Sequence, residues 1–189
     1  MKNIKKICET YSLLKELSSI NGADVNRALL DRTMFAIEKL PPLGKEYWWF
    51  LFFGQDGERP AQITLLIFRK YGKKMLFNNK EMRFSELRGD RTLAVTSGWI
   101  YDGDKLLSLR ATNAITGVQK EKITSELSNR AMVFSGSFPN YRIGLENLIN
   151  LKMNNGNFLV NKDAYGVFLP PLGMGWVDVF SDASGTVLG

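Results

Sequence analysis

Two carboxylates stand where aromatic side chains could alter their chemistry. Glu46 directly precedes Tyr47-Trp48-Trp49-Phe50, and Asp178 alternates along a stretch with Trp176 and Phe180. A carboxyl group held against apolar rings stays protonated to a higher pH than one in water, which suits it to donate a proton. Glu46 and Asp178 are therefore the candidate catalytic acids. The plainer reading of Glu46 is a solvated strand end. Asp102 and Asp104 flank Gly103 and are accounted for by a turn. No two carboxylates can be brought together from the sequence, so a paired-carboxylate mechanism has no support.

Histidine is absent and Cys8 is the single cysteine. Serine and cysteine triads that use histidine, zincin sites and disulfide frameworks are thereby excluded. Gly173-Met174-Gly175 follows two prolines and precedes a strand pattern, so it lacks the helix N-terminus that makes a phosphate cradle. No metal and no cofactor is expected.

The tryptophans suggest binding instead of bond making. Trp48 and Trp49 are adjacent in an extended run, so their indoles point to opposite faces. One can line an interior, with its N–H as an orienting group, while the other meets the outside. Trp48, Trp49, Phe68, Trp99 and Trp176 are the candidate walls of an apolar cavity. All of them can equally be core.

These side chains sit on elements that follow from periodicity. Ile4, Ile7, Tyr11, Leu14 and Leu17 recur at helical spacing over 3–19, and Asp24 can cap a second helix to about Lys39. Pro41-Pro42 ends it. From Glu46 onward, apolar runs of strand length alternate with turn residues such as Asp56-Gly57, Asp102-Gly103-Asp104 and Asn154-Asn155-Gly156-Asn157. Residues 78–91 read as a loop with a short strand around Met82 and Phe84, and 115–127 permits strand or helical turn. Around Glu146-Asn147 the apolar phase of 140–153 slips, which predicts a bulge or two shorter strands. Trp176 to Phe180 reads as a strand and Ser181 to Gly185 as a turn.

Such a pattern, with no helices between strands, predicts a mainly β fold: an antiparallel lipocalin-like barrel or bent sandwich preceded by two α-helices. The expected division is a helical segment, 1–42, packed on a barrel-like domain, 43–189. The chain stops at what reads as the start of a strand, so that domain is expected to be closed by a last strand or to be truncated.

The net charge of +6 is spread among acids, and no groove-reading motif accompanies it. No nucleic-acid partner is expected. No apolar run reaches the roughly 20 residues of a membrane span, and Glu9, Lys15 and Glu16 interrupt any signal-peptide core. The expected location is cytoplasmic.

Glu46-Tyr47-Trp48-Trp49-Phe50, the Asp56-Gly57 turn and the apolar run Ile63 to Phe68 resemble the opening of the carotenoid hydratase-like and AttH-like proteins. Their opening is Glu-Trp-Trp-Tyr followed by a hairpin; here Tyr47 separates Glu46 from the tryptophans. The resemblance covers roughly 25 residues and leaves out the N-terminal helices. It implies a two-domain lipocalin-like barrel of the calycin kind that binds a small apolar, isoprenoid- or lipid-like ligand. In one branch it implies addition of water to an alkene. It also implies a second barrel domain as partner, a homo-oligomer being the other option. A structural or interaction domain with a filled interior is the third functional class the sequence allows.

Overall fold

Period-two alternation with turn residues at each break builds antiparallel sheet. In a computed structural model, residues 27–37, 40, 42, 44–56, 58–161 and 176–187 are described. They contain one helix, α1 (Arg27–Met34), and twelve strands. The strands are β1 (Lys45–Asp56), β2 (Arg59–Lys70), β3 (Lys74–Phe77), β4 (Lys80–Arg83), β5 (Ser85–Glu86) and β6 (Arg91–Tyr101). After these come β7 (Leu106–Gln119), β8 (Lys122–Leu127), β9 (Arg130–Ser137), β10 (Asn140–Leu145), β11 (Ile149–Asn161) and β12 (Trp176–Val187). The main sheet runs β1-β2-β6-β7-β8-β9-β10-β11-β12, with β5 beside β6, and curves into a nearly closed barrel. The fold is thus mainly antiparallel β.

Turn chemistry sets the register. Asn78-Asn79 and Ser128-Asn129 both hold two successive positive φ angles, and each closes a two-residue hairpin. Asp102 accepts backbone hydrogen bonds from Asp104 and Lys105 at 2.9 and 2.7 Å, and these hold its carboxyl below the usual range. Gly98 sits in the β6–β7 register shift, where a methyl group would stand 2.3 Å from the Thr64 carbonyl oxygen. Only glycine admits that approach of β2 to β6.

The interior is one apolar cluster. Ile63, Leu65 and Ile67 of β2 meet Ile100, Ile123, Leu127, Met132, Ile143 and Leu145, together with Leu30 and Phe35 from α1 and its flank. Phe35 stacks on Phe134 at 5.6 Å, and Phe134 packs against Phe50 at 4.8 Å and Tyr141 at 5.2 Å. Polar bonds fix α1 in place. Asp31 accepts from the Phe138 amide at 3.1 Å and from the Tyr141 hydroxyl at 2.8 Å. The Trp48 indole donates to the Met34 carbonyl at 2.9 Å.

Burial and the neighbouring Asp31 push the Tyr141 hydroxyl well above the usual tyrosine range. A raised folded pKa gives stability that is complete below the unfolded value of about 10. It is lost progressively as pH climbs from there. In an alkaline absorbance titration at 295 nm, Tyr141 is expected to stay protonated for as long as the fold persists. Its tyrosinate signal should appear only with unfolding, and Tyr141→Phe should remove that late phase. A late phase that survives in Tyr141→Phe would contradict this.

Three expectations change. The helix expected over 3–19 lies outside the described residues. The second helix stops at Met34 instead of Lys39, because Phe35 turns into the core onto Phe134; among the described residues one short helix precedes the sheet. Asn154–Asn157 is not a turn but a register shift within β11. Ser181–Gly185 is likewise strand: Gly185 opposes Leu151, and a methyl group there would fall 2.0 Å from the Asn150 oxygen. By contrast, the slip at Glu146-Asn147 resolves as two strands, β10 and β11.

Candidate functional site

Glu46 and Arg69 are cross-strand partners on β1 and β2. The Arg69 guanidinium is buried and donates through Nε to the Glu46 carboxylate. Glu46 is therefore placed as the counter-ion of an inward-facing cation, not as a lone acid among rings. Asp178 lies half-buried on β12, opposite Leu159, at the other end of the sheet order.

The adjacent tryptophans divide as their spacing requires. Trp48 faces the core at 9% exposure, and Trp49 faces outward at 60%. The other expected cavity walls do not join Trp48. Phe68 is the outward cross-strand partner of Tyr47, and it packs edge-on to Phe84 at 5.8 Å beneath the β3–β4 hairpin. Trp99 pairs with Thr64 on the same outer face and is 39% exposed. Both point away from the interior because they alternate with Ile67 and Ile100, which fill it. The Trp176 side chain lies outside the described residues.

Outward side chains of β1, β2, β6 and the start of β7 form four cross-strand rows. They run Tyr47–Phe68–Val95, Trp49–Leu66–Ser97, Leu51–Thr64–Trp99–Ser108 and Phe53–Gln62–Tyr101–Leu106. No charged residue occurs in them. Phe53 is 74% and Leu106 65% exposed. At ~200 Å² per ring, the exposed parts of Tyr47, Trp49, Phe53 and Trp99 amount to roughly 400–450 Å². With Leu51 and Leu106 the patch exceeds the ~300–600 Å² typical of the largest patch on a monomer. In its midst the Thr64 hydroxyl is buried and has no hydrogen-bond partner among the described residues.

One end of this face is raised. Met75, Phe77 and Met82 of the β3–β4 hairpin, with Phe84 just after it, pack on Phe68, Val95 and Ala111, making a second layer over the Tyr47 end. The Phe53 end is bare. Elsewhere the outer surface is ordinary: Lys122 and Glu126 on β8, Arg142 on β10 and Lys152 on β11 are exposed. Two depressions, of about 310 and 430 Å³, are lined by residues of β9–β11 and of β6–β8. Neither is lined by Trp48, Phe50 or Phe134.

Sequence reading singled out Trp49, Phe68 and Trp99 yet missed the face, since an exposed apolar side chain and a buried one are spelled alike. Asp31 was missed too. Its only signal is an acid set beside Leu30 in an apolar helical stripe.

Among the described residues no group of three or more His, Cys, Asp or Glu side chains could hold a metal ion. No described helix is long and apolar enough to cross a membrane. No family model, curated protein or solved structure matches this chain.

Proposed function

We propose that this chain is a protein-interaction domain, a barrel-like sheet packed with its own side chains that binds a partner on the outer face around Trp49. The observation that carries this reading is the uncharged, aromatic and exposed surface of β1, β2 and β6. Centres of protein interfaces are depleted of charge and enriched in Trp, Tyr and Phe. The packed interior supports the same reading, because Leu30 and Phe35 occupy the space where a lipocalin-like ligand would sit.

Site-specific photocrosslinking in the native cell tests it. Benzoylphenylalanine in place of Trp49 or Phe53 is expected to give a protein adduct, identified by mass. The same group in place of Lys122, on the opposite part of the outer surface, is expected to give none. Equal adducts from both places, or none from Trp49 and Phe53, would sink the reading.

A small apolar ligand in the interior is the second reading. What favours it is the ring cluster of Phe50, Phe134 and Tyr141, on which Phe35 is seated in the manner of a guest. It requires α1 to leave. Saturable one-to-one quenching of Trp48 by a retinoid or fatty acid would promote it over the first. Hydration of such a ligand by Glu46 would further require that carboxylate to let go of Arg69.

A further inference from the structure

We infer that the partner is a second copy of this chain, stacked face to face on the Trp49 surface about a two-fold axis that sets the strands of the two copies antiparallel. This rests on the interaction reading above and adds the identity of the partner.

Four observations point the same way. The patch is of the right size: with its polar margin it approaches the ~800 Å² per side of a standard stable interface. Its composition fits a protein better than a membrane surface. Aromatic side chains that anchor on anionic lipid are interleaved with lysine and arginine, whereas no cation stands within these four rows.

The third is shape. The β3–β4 hairpin raises the Tyr47 end by one layer and leaves the Phe53 end bare. Packed sheets lie about 10 Å apart. Two copies in parallel would collide hairpin on hairpin. In the antiparallel sense each hairpin passes beyond the bare end of the other copy, and Trp49 of one meets Phe53 of its mate.

The fourth is charge. Lys45 and Lys70 are cross-strand neighbours at the raised end. Exposed Glu58 and Asp104 lie in the turns at the bare end, where Arg59 and Lys105 offset part of their charge. The same antiparallel two-fold sets the lysines of each copy over the acids of the other. An isologous contact repeats that complementarity twice.

Sedimentation of the purified full chain over a concentration series decides the matter. The wild type is expected to be a dimer at micromolar concentration. Trp49→Glu with Phe53→Glu should raise the dissociation constant at least 100-fold, since buried aromatic anchors dominate such contacts. Lys45→Glu with Lys70→Glu should weaken association several-fold, and adding Glu58→Lys and Asp104→Lys to that chain should restore it. Circular dichroism and thermal melting check that each variant is folded.

A dimer indifferent to Trp49 and Phe53 overturns the inference, and so does a dimer in which the second charge pair fails to rescue the first. A monomer whose Trp49 is open to acrylamide and binds vesicles of phosphatidylserine overturns it in favour of a lipid surface. A monomer with Trp49 shielded overturns it in favour of cover by residues 1–26. Crosslinks from Trp49 to a different protein overturn it while leaving the interaction reading intact.

Discussion

Asp31→Ala is expected to lower the stability of the fold by about 3 kcal/mol and the melting temperature by about 6–12 °C. The loss is that of the bonds the carboxylate accepts. It accepts from the Phe138 amide through both oxygens, at 3.1 and 3.3 Å, and from the Tyr141 hydroxyl at 2.8 Å. Hydrogen bonds to a charged acceptor are each worth ~1.5–3 kcal/mol, and removing the acceptor strands a hydroxyl on a side chain only 2% exposed. Tyr141→Phe removes one donor and leaves nothing stranded on the ring, so it should cost only about 1 kcal/mol. The double variant should cost less than the sum, because the two residues share one bond. Urea unfolding followed by tryptophan emission measures all three. Trp48 reports directly on α1 through its bond to the Met34 carbonyl. A loss below about 0.5 kcal/mol in Asp31→Ala would mean that Leu30, Phe35 and the Trp48–Met34 bond hold α1 without it.

Glu46→Gln is the second large effect, of about 2–3 kcal/mol. Arg69 is only 3% exposed along its side chain, while Glu46 retains 24%, so the cation is the buried member of the pair. Neutralising the carboxylate removes the charge that Arg69 faces across the β1–β2 ladder. The cost falls at or just below the ~3–5 kcal/mol seen for broken buried pairs, because water reaches Glu46 and the amide still accepts a hydrogen bond. Replacing both residues, Glu46→Leu with Arg69→Met, should recover at least half of the loss, since a buried pair exchanged for apolar groups of like volume is close to neutral. A catalytic Glu46 would behave otherwise. Glu46→Gln would then leave the unfolding midpoint in place and remove turnover.

The strand content was legible because turn residues such as Asp56-Gly57 and Asp102-Gly103-Asp104 punctuate the chain. The strong run Tyr47 to Phe53 falls wholly within β1. The face of each side chain was partly legible. Phe68 is out of phase with Ile63, Leu65 and Ile67, and Trp99 is out of phase with Ile100, so alternation alone separates them from the interior. Alternation cannot say which of two apolar faces is covered. Around Trp48 and Trp49 that choice rests on Met34, Phe134 and the hairpin of β3 and β4, all distant in sequence. The extension of β12 through Ser181–Gly185 was illegible for a different reason. Small residues that mark turns also let two backbones approach, as Gly185 does against Asn150. The ion pair of Glu46 and Arg69 needed the β1–β2 register, which the hairpin length fixes only once both strand ends are known.

The order of the main sheet follows the chain, interrupted only by β3, β4 and β5 between β2 and β6. Every ladder of the main sheet except β2–β6 and β11–β12 therefore closes a short loop, and the entropy lost in bringing those strands together is small for an all-β architecture. Assembly can spread outward from any central hairpin without waiting for the two ends of the chain to meet. Unravelling runs the other way. Among the described residues β1 and β12 each have a single neighbour in the sheet, so amide exchange should be fastest along their outer edges and slowest through β7 to β10. A contact that covers β1 would then slow exchange at the edge most ready to open, and so steady the whole sheet from one side.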